Sequence, residues 1–255
     1  MPKVAFSTTQ DERGRLTRLS VDSRTAYFHA ANTMINHRVI GEAVKALSDG
    51  LATTGEFIQA KSEDLTASGL SKLANEAITA RIKPAFIATQ RAIPAAEADL
   101  GKRMDMFTAP FFTDDQPPAV RVELRQYART LPLPNLVGAT QSDPSLAAAV
   151  VEGGAAMSRL PPDVFDRLKR DMAVANATRV LSGQRDFRTV ADASDPIGGK
   201  PNPTAARAAG EALISALEAE HELLAEAPNA LTAIIDIVAI MTDTTRDASF
   251  TLLTA

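Results

Sequence analysis

The segment Glu218-Ala-Glu-His221 is the strongest candidate for chemistry, because its spacing places a carboxylate and an imidazole on one face of a helix. Di-metal carboxylate bundles use this Glu-x-x-His motif twice and add two further glutamates, whereas this sequence contains it once. His221 also continues the apolar stripe of Leu217 and Leu224. The sequence therefore predicts a half-buried core histidine, and a metal-binding or catalytic face at Glu218 and His221 is the alternative.

The other patterns that resemble catalytic or cofactor sites are incomplete. His29 and His37 are eight positions apart, which on one helix separates them by about 80° and by more than two turns. Gly199-Lys200 resembles the end of a phosphate-binding loop, but Pro201 stands where such a loop has Ser or Thr for magnesium. The chain has no cysteine, which excludes thiolate nucleophiles and Cys-ligated metals. We therefore predict a non-enzymatic protein with no catalytic residue, cofactor or metal.

Side chains suited to protein contacts are more numerous. Arg121, Arg125 and Arg129 recur every four positions on a predicted helix over residues 119–131 and form a basic stripe. A solvated face is the first interpretation and contact with an acidic partner surface is the second. Phosphate binding is the third, because the net charge of −4 argues against a nucleic-acid binder. The apolar interaction candidates are Phe6, Phe111, Phe112, Phe250 and Leu252.

The composition favours helices packed side by side. Apolar residues make up 45% of the 255 positions and aromatic residues only 5%, so small side chains carry much of the apolar fraction. Alanine, the most prominent of them, has the highest helix propensity and lets helices approach closely. We therefore predict an all-α fold, with a multi-helix body, a C-terminal helical pair and extended terminal arms.

Capping and proline signals predict where the helices begin and end. Ser20 or Asp22 is suited to cap a first long helix, which Asp49-Gly50 is predicted to end. Thr66 and Asp143 are predicted N-caps, because the oxygen of each side chain can accept a hydrogen bond from the first helical turn, and Pro144 after Asp143 suits the first helical position. Pro84 and Pro94 are predicted to be helix boundaries or kinks, since a proline inside a helix removes a backbone hydrogen bond.

The clearest predicted linker is the Pro/Gly-rich segment 192–203. It separates a helical body over residues 1–191 from a C-terminal helical pair over residues 204–255. Within the body, the polar residues 1–19 are predicted to form an extended arm.

The C-terminal part leaves one element open. The apolar segment 229–242 fits a helix or a strand, and we favour a helix because Ile234 and Val238 share a helical face after Pro228. The Thr-rich end, residues 242–255, is predicted to be extended.

No targeting or membrane segment is predicted. The N-terminal residues lack the apolar core of a signal peptide. The longest apolar stretch, residues 230–241, is too short to span a bilayer and contains Asp236. We therefore expect a protein that is made in the cytoplasm and has no membrane partner.

One family resemblance bears on function. The step Asp64-Leu-Thr-Ala-Ser-Gly-Leu70 resembles the Leu-Thr-x-x-Gly helix opening of helical proteins encoded by tailed bacteriophages and prophages. A later run of small residues followed by the helix start Leu160-Pro-Pro-Asp163 also resembles a pattern of those proteins. The resemblance therefore covers about residues 62–182.

The resemblance implies a structural or interaction protein of the virion, in the head, neck or tail, with no catalytic residues. It implies protein partners, either further copies in a homo-oligomer or other virion proteins, and localisation in the virion after synthesis in the cytoplasm. Two other functions remain open: a helical enzyme or metal-binding bundle that uses the Glu218/His221 face, and a regulatory adaptor that binds a partner helix.

The single Glu-x-x-His motif leads to a test by elemental analysis. We expect the purified protein to contain no stoichiometric transition metal, because one such motif supplies too few ligands for a di-metal site. One or two metal ions per chain that are lost in His221→Ala would contradict this prediction and favour the enzyme alternative.

Overall fold

The computed structural model describes residues 3–110, 117–191 and 196–255. Helices account for 72% of it, and a three-stranded antiparallel sheet lies at the N-terminal end of the chain. The prediction of a mainly helical protein is therefore confirmed, whereas the all-α class is corrected by this sheet. The strands, in the spatial order β1-β2-β3, are β1 (Val4–Gln10), β2 (Gly14–Val21) and β3 (Arg24–Ala31).

A tight turn fixes how β2 and β3 pair. Val21 lies opposite Arg24, so Asp22 and Ser23 form a two-residue hairpin loop, and Asp22 has a positive φ of 54°. Side chains then alternate between the two faces along both strands. The buried positions on these strands are Thr17, Leu19, Val21, Ala26, Phe28 and Ala30.

The sheet corrects two predictions. The described residues of the predicted arm, 3–19, form β1 and most of β2 rather than a free arm. The helix predicted to start at Ser20 or Asp22 begins only at Gly41, because residues 24–31 continue the sheet. Phe28 alone does not distinguish the two structures, because it would face the core in a helix as it does in the strand. The buried residues of this segment recur at every second position, which is the spacing of a strand.

Phe6 attaches β1 to the helix behind it. Its ring lies against Gly55 so closely that a Cβ at Gly55 would stand 2.1 Å from ring atom Cε2. The Phe6 backbone N–H donates to Gln59 Oε1 at 3.2 Å. Phe6 is thus a docking residue within its own chain.

Three strands and four α-helices form most of the described chain up to residue 108. α2 packs against all three strands and continues through Asp49-Gly50, so the predicted stop there is wrong. Gly50 is needed for packing instead, because a Cβ on it would lie 2.9 Å from the Arg81 carbonyl oxygen. The predicted cap at Thr66 is confirmed, since its hydroxyl accepts from Gly69 N–H at 3.2 Å. These helices are α1 (Asn32–Ile35), α2 (Gly41–Lys61), α3 (Ala67–Ala77) and α4 (Lys83–Thr108).

Both prolines of this region lie inside helical backbone. A π-helical turn, Ile78–Ile82, joins α3 to α4, and Lys83 N–H donates to the Ile78 carbonyl five residues back. This wider turn precedes Pro84, which has no N–H to donate. Pro94 lies within α4. Neither proline is therefore a helix end.

The described residues after 117 are mainly helical. Asp143 is the predicted N-cap of α7 and accepts from Ser145 N–H at 2.8 Å and Leu146 N–H at 3.2 Å. The apolar cluster of this part of the chain includes the buried Leu136, Leu146 and Phe165. The helices are α5 (Pro118–Thr130), α6 (Leu133–Ser142), α7 (Pro144–Gly153), α8 (Ala155–Ser158), α9 (Pro162–Gln184), α10 (Pro203–Thr242) and α11 (Arg246–Thr254).

The C-terminal helices confirm one prediction and correct another. Segment 229–242 is helical, as favoured, and belongs to α10, which continues through Pro228. The end of the chain forms α11 rather than an extended tail: the Thr245 hydroxyl caps it by accepting from Ala248 N–H, and Leu253 is fully buried. In the predicted linker, residues 196–202 are non-helical, and Pro201 bridges to Arg188.

The chain divides into two compact units at positions other than the predicted linker. The first unit comprises residues 1–100 and 220–255, and the second comprises residues 101–219. Both boundaries fall within long helices, α4 and α10.

The contact of Phe6 with Gly55 generates a stability prediction. We expect Gly55→Ala to lower the free energy of unfolding, because the new methyl group clashes with the Phe6 ring. Gly101→Ala is the matched control: no atom lies within 4 Å of its Cβ position. Replacing this helical glycine should stabilise by about 0.5–1 kcal/mol. Chemical denaturation measures both, and Phe6→Ala should rescue the first variant. Equal stabilisation by both substitutions would contradict docking of β1 on α2.

Candidate functional site

The residues of the Glu-x-x-His motif have different surroundings. Both carboxylate oxygens of Glu218 accept from Arg170, with Nε 2.9 Å from Oε1 and Nη2 3.2 Å from Oε2. This hydrogen bond and the negative charge of Glu218 raise the pKa of Arg170. His221 is exposed, so the prediction of a half-buried histidine is wrong. The described residues contain no group of three or more potential metal ligands.

His37 is the histidine with the most enclosed environment. Its Nε2 lies 3.0 Å from Glu220 Oε1, and the two side chains are 7% and 17% exposed. Its Nδ1 accepts from Val39 N–H at 3.2 Å and Ile40 N–H at 3.3 Å. Because Nδ1 is an acceptor, Nε2 carries the proton and donates to Glu220. Both ring nitrogens are thus used to fix the start of α2, and neither is available as a general base.

His29 lies apart from His37. It is exposed on β3, whereas His37 follows α1, so the two do not share a helix as the sequence suggested.

Two of the three arginines of the basic stripe share one carboxylate within their own unit. Arg121 Nη1 donates to Glu152 Oε1 at 2.9 Å, and Arg125 donates to the other oxygen of the same carboxylate. Arg129 is exposed and contacts Met157 Sδ at 3.7 Å. A carboxylate shared by two arginines makes this helix face a packing surface against α7 rather than a phosphate site.

The remaining predicted interaction residues that the structure describes are Phe6, Phe250 and Leu252. Phe250 is 43% exposed on α11, and Leu252 is half-buried on the same helix. Phe6 belongs to the same unit but packs on Gly55. Phe111 and Phe112 lie outside the described residues.

The free edge of β3 carries polar groups that the sequence analysis did not single out. Because Val21 and Arg24 close a two-residue hairpin, Arg24, Ala26, Phe28 and Ala30 turn their N–H and C=O groups toward β2. Every second residue therefore presents these groups to the outside. The outward-facing residues of β3 are Thr25, Tyr27 and His29.

Three hydrogen bonds that are not part of the strand pairing agree with this alternation of inward and outward backbone groups. Arg13 C=O, on the β3 side, accepts from Asn32 N–H at 2.9 Å. Gly14 C=O, on the β1 side, accepts from Asp11 N–H at 3.0 Å. Phe6 N–H, on the outer edge of β1, donates to Gln59. On β3, by contrast, the outward backbone groups of residues 25, 27 and 29 have no hydrogen-bond partner within the described part of the chain.

A groove runs along this edge, between β3 and α10. Its volume is about 390 Å³, and all its lining residues belong to the first unit. Such a volume lies within the range of ligand-binding clefts. On the α10 side, the Asp236 carboxylate is paired with Arg246, whose pKa it raises through a hydrogen bond. The lining residues are Thr25, Ala26, Tyr27, Asp236, Ala239 and Ile240.

The C-terminal half of α10, part of which forms one wall of the groove, is rich in apolar residues and incompletely covered. Leu231, Ile235 and Ile240 are half-buried, although Ile234 and Val238 beside them are fully buried. By length and composition α10 would also be able to cross a membrane: its best 18-residue window has a mean hydropathy of 1.7 and is 33% buried. Core helices pass the same test, so this property is weak evidence for a membrane segment.

The second unit contains a smaller cavity of about 170 Å³. Ala173, Ile214 and Leu217 form its buried floor, and the Arg170–Glu218 pair lies at its rim. Since these two charged groups bind each other, the cavity offers an apolar niche rather than a reactive centre.

The comparisons with known proteins give no match. No protein family matches the chain, and the searches of curated proteins and of solved structures each find none.

The bond between His37 and Glu220 generates a prediction with a neighbouring control. We expect Glu220→Ala to destabilise the protein by about 1–3 kcal/mol, because it leaves the enclosed Nε2–H of His37 without its acceptor. His221→Ala, at the adjacent exposed position, should change stability by less than about 0.5 kcal/mol. Urea unfolding measures both. Similar values for the two variants would show that the His37–Glu220 bond does not stabilise α2.

Proposed function

We propose that this chain is a non-enzymatic structural or interaction protein that works by binding other proteins, as a component of a phage-type virion assembly. The proposal rests on a contrast between two kinds of groups in this chain. Side chains that could react are bonded within the chain, whereas some backbone groups have no hydrogen-bond partner among the described residues. The enclosed imidazole of His37 and the carboxylate of Glu218 are each used in internal hydrogen bonds. The outward backbone groups of residues 25, 27 and 29 have no partner among the described residues, and residues 25 and 27 also line a groove.

Surface chemistry also supports binding rather than catalysis. Exposed apolar side chains occur in both units, including Tyr27 at 53% and Phe250 at 43% in the first unit and Met157 at 52% in the second. Single exposed apolar residues are ordinary, but Tyr27 adjoins the half-buried Ile240 in one groove. Contiguous apolar surface bordered by polar groups is typical of protein interfaces.

The assignment to a virion rests on the Leu65-Thr66 helix opening and the residues before Asp163, which resemble helical phage proteins. The Thr66 cap and the proline start of α9 are the local features that these motifs encode. A head, neck or tail position, with homo-oligomeric or virion-protein partners, is the corresponding proposal.

Assembly in solution tests this function. We expect the purified protein to form a defined multimer, or a stable complex with a protein encoded beside it, because structural virion proteins act through such contacts. Light scattering after size exclusion, across a hundredfold range of concentration and with each co-expressed neighbour, measures the mass. A protein that stays monomeric throughout and binds no neighbour would contradict the proposal.

A further inference from the structure

We propose that the groove between β3 and α10 binds an extended peptide segment of a partner protein, which adds to the sheet as a fourth strand beside β3. This inference rests on the proposed function, because it names the site and mode of the interaction. The groove is lined by Thr25, Ala26 and Tyr27 on one side and by Asp236, Ala239 and Ile240 on the other.

The backbone of β3 determines the kind of ligand. Residues 25, 27 and 29 direct N–H and C=O groups outward, and no described residue binds them. Their complement is another row of backbone donors and acceptors with the same spacing, which an extended chain supplies. A helical ligand cannot supply it, because its own N–H and C=O groups are bonded along the helix. The adaptor hypothesis of a bound partner helix is therefore disfavoured at this site.

The position of α10 favours a peptide over a second folded sheet. Asp236, Ala239 and Ile240 stand alongside the edge and make it one wall of a groove. A sheet from another domain would bring its own covering layer to the place where α10 stands. A single strand fits between the two walls, and the outward positions 25 to 29 span about 13 Å, which matches a segment of about five residues.

The groove also indicates the side chains of the segment. The charged groups at the groove are already paired. Asp236 binds Arg246, and Arg24, the first residue of β3, binds Asp243. Alternate side chains of an added strand would face α10, where Ile240 is half-buried and Ala239 leaves room. The partner segment therefore has uncharged, apolar side chains at every second position, and its other side chains continue the outer face beside Tyr27.

The opposite edge of the sheet is a weaker candidate for the same contact. On β1, the outward N–H of Phe6 is bonded to Gln59, and the Phe6 ring is packed on Gly55. Part of that edge is thus already occupied by α2. This difference supplies a matched control, because Thr8 on β1 and Tyr27 on β3 both direct their N–H away from β2.

Peptide binding tests the proposal. Seven-residue peptides are selected from a displayed random library on the full-length protein, synthesised, and measured by fluorescence anisotropy. We expect the tightest peptides to alternate apolar residues and to lose at least tenfold in affinity in Tyr27→Pro, which removes one outward N–H. Thr8→Pro removes the equivalent N–H from the other edge of the sheet and should bind within about threefold of the parent protein.

A second variant keeps the test decisive if Tyr27→Pro fails to fold. Ile240→Arg places a charge in the α10 wall and should also weaken binding at least tenfold, whereas Thr232→Arg at an exposed position of α10 should not. Failure to select any binder, or affinities that the Tyr27 and Ile240 variants leave unchanged, would overturn the proposal. Concentration-dependent self-association that Tyr27→Pro abolishes would identify a second copy of the chain as the occupant and overturn it as well.

The outcome separates this inference from the proposed function. A protein that assembles normally while carrying Ile240→Arg, and whose selected peptides ignore the groove, would retain the proposed function and lose this binding mode. Peptide binding in the groove by a protein that forms no assembly with itself or its neighbours would retain the groove and exclude the virion role.

Discussion

The alternation of side chains along β2 and β3 is the constraint on which the first unit depends. Leu19 and Phe28 face inward and are almost completely buried, so a shift of one residue would expose both of them to water. The same register decides which backbone groups bond within the sheet and which face outward. Burial of the core and exposure of the β3 edge are therefore two consequences of one pairing, set by the turn at Asp22 and Ser23.

Several polar side chains that could take part in chemistry are hydrogen-bonded to other residues of the same unit. His37 fixes the start of α2 through both of its ring nitrogens and is held by Glu220. In the second unit, Glu152 binds two arginines of the basic stripe, and Glu218 binds Arg170. A group that is fully hydrogen-bonded within its own unit adds stability but offers little to a substrate. What the described residues leave open is backbone at a sheet edge, and such an edge binds protein chains.

Local signals in the sequence predicted local structure well. Thr66 and Asp143 cap their helices because a cap needs only the hydrogen bonds of its own first turn. Gly50 did not end α2, because its role depends on the Arg81 carbonyl, a tertiary contact that is not visible in the local pattern. The sheet was overlooked because Phe28 fits both a helical stripe and a strand. Apolar residues at every second position after a tight turn, Ala26, Phe28 and Ala30, are the sequence signal that would have revealed this strand, and all three are buried.

The candidate site was not predictable in the same way. Tyr27 and Ile240 line one groove although more than two hundred residues separate them, and neither belongs to a recognisable motif. The predicted interaction residues were selected for aromatic or charged character, whereas the groove depends on unpaired backbone. Backbone groups have no sequence signature of their own, and their availability follows from strand order and register.

Amide hydrogen exchange of the free protein tests this account most directly. The account predicts alternation along β3: slow exchange at Ala26 and Phe28, whose N–H groups bond to β2, and fast exchange at Thr25, Tyr27 and His29, whose N–H groups face away from β2. Protection of Thr25, Tyr27 and His29 equal to that of Ala26 and Phe28 would show that the edge already has a partner. That result would contradict the claim that β3 is open for binding.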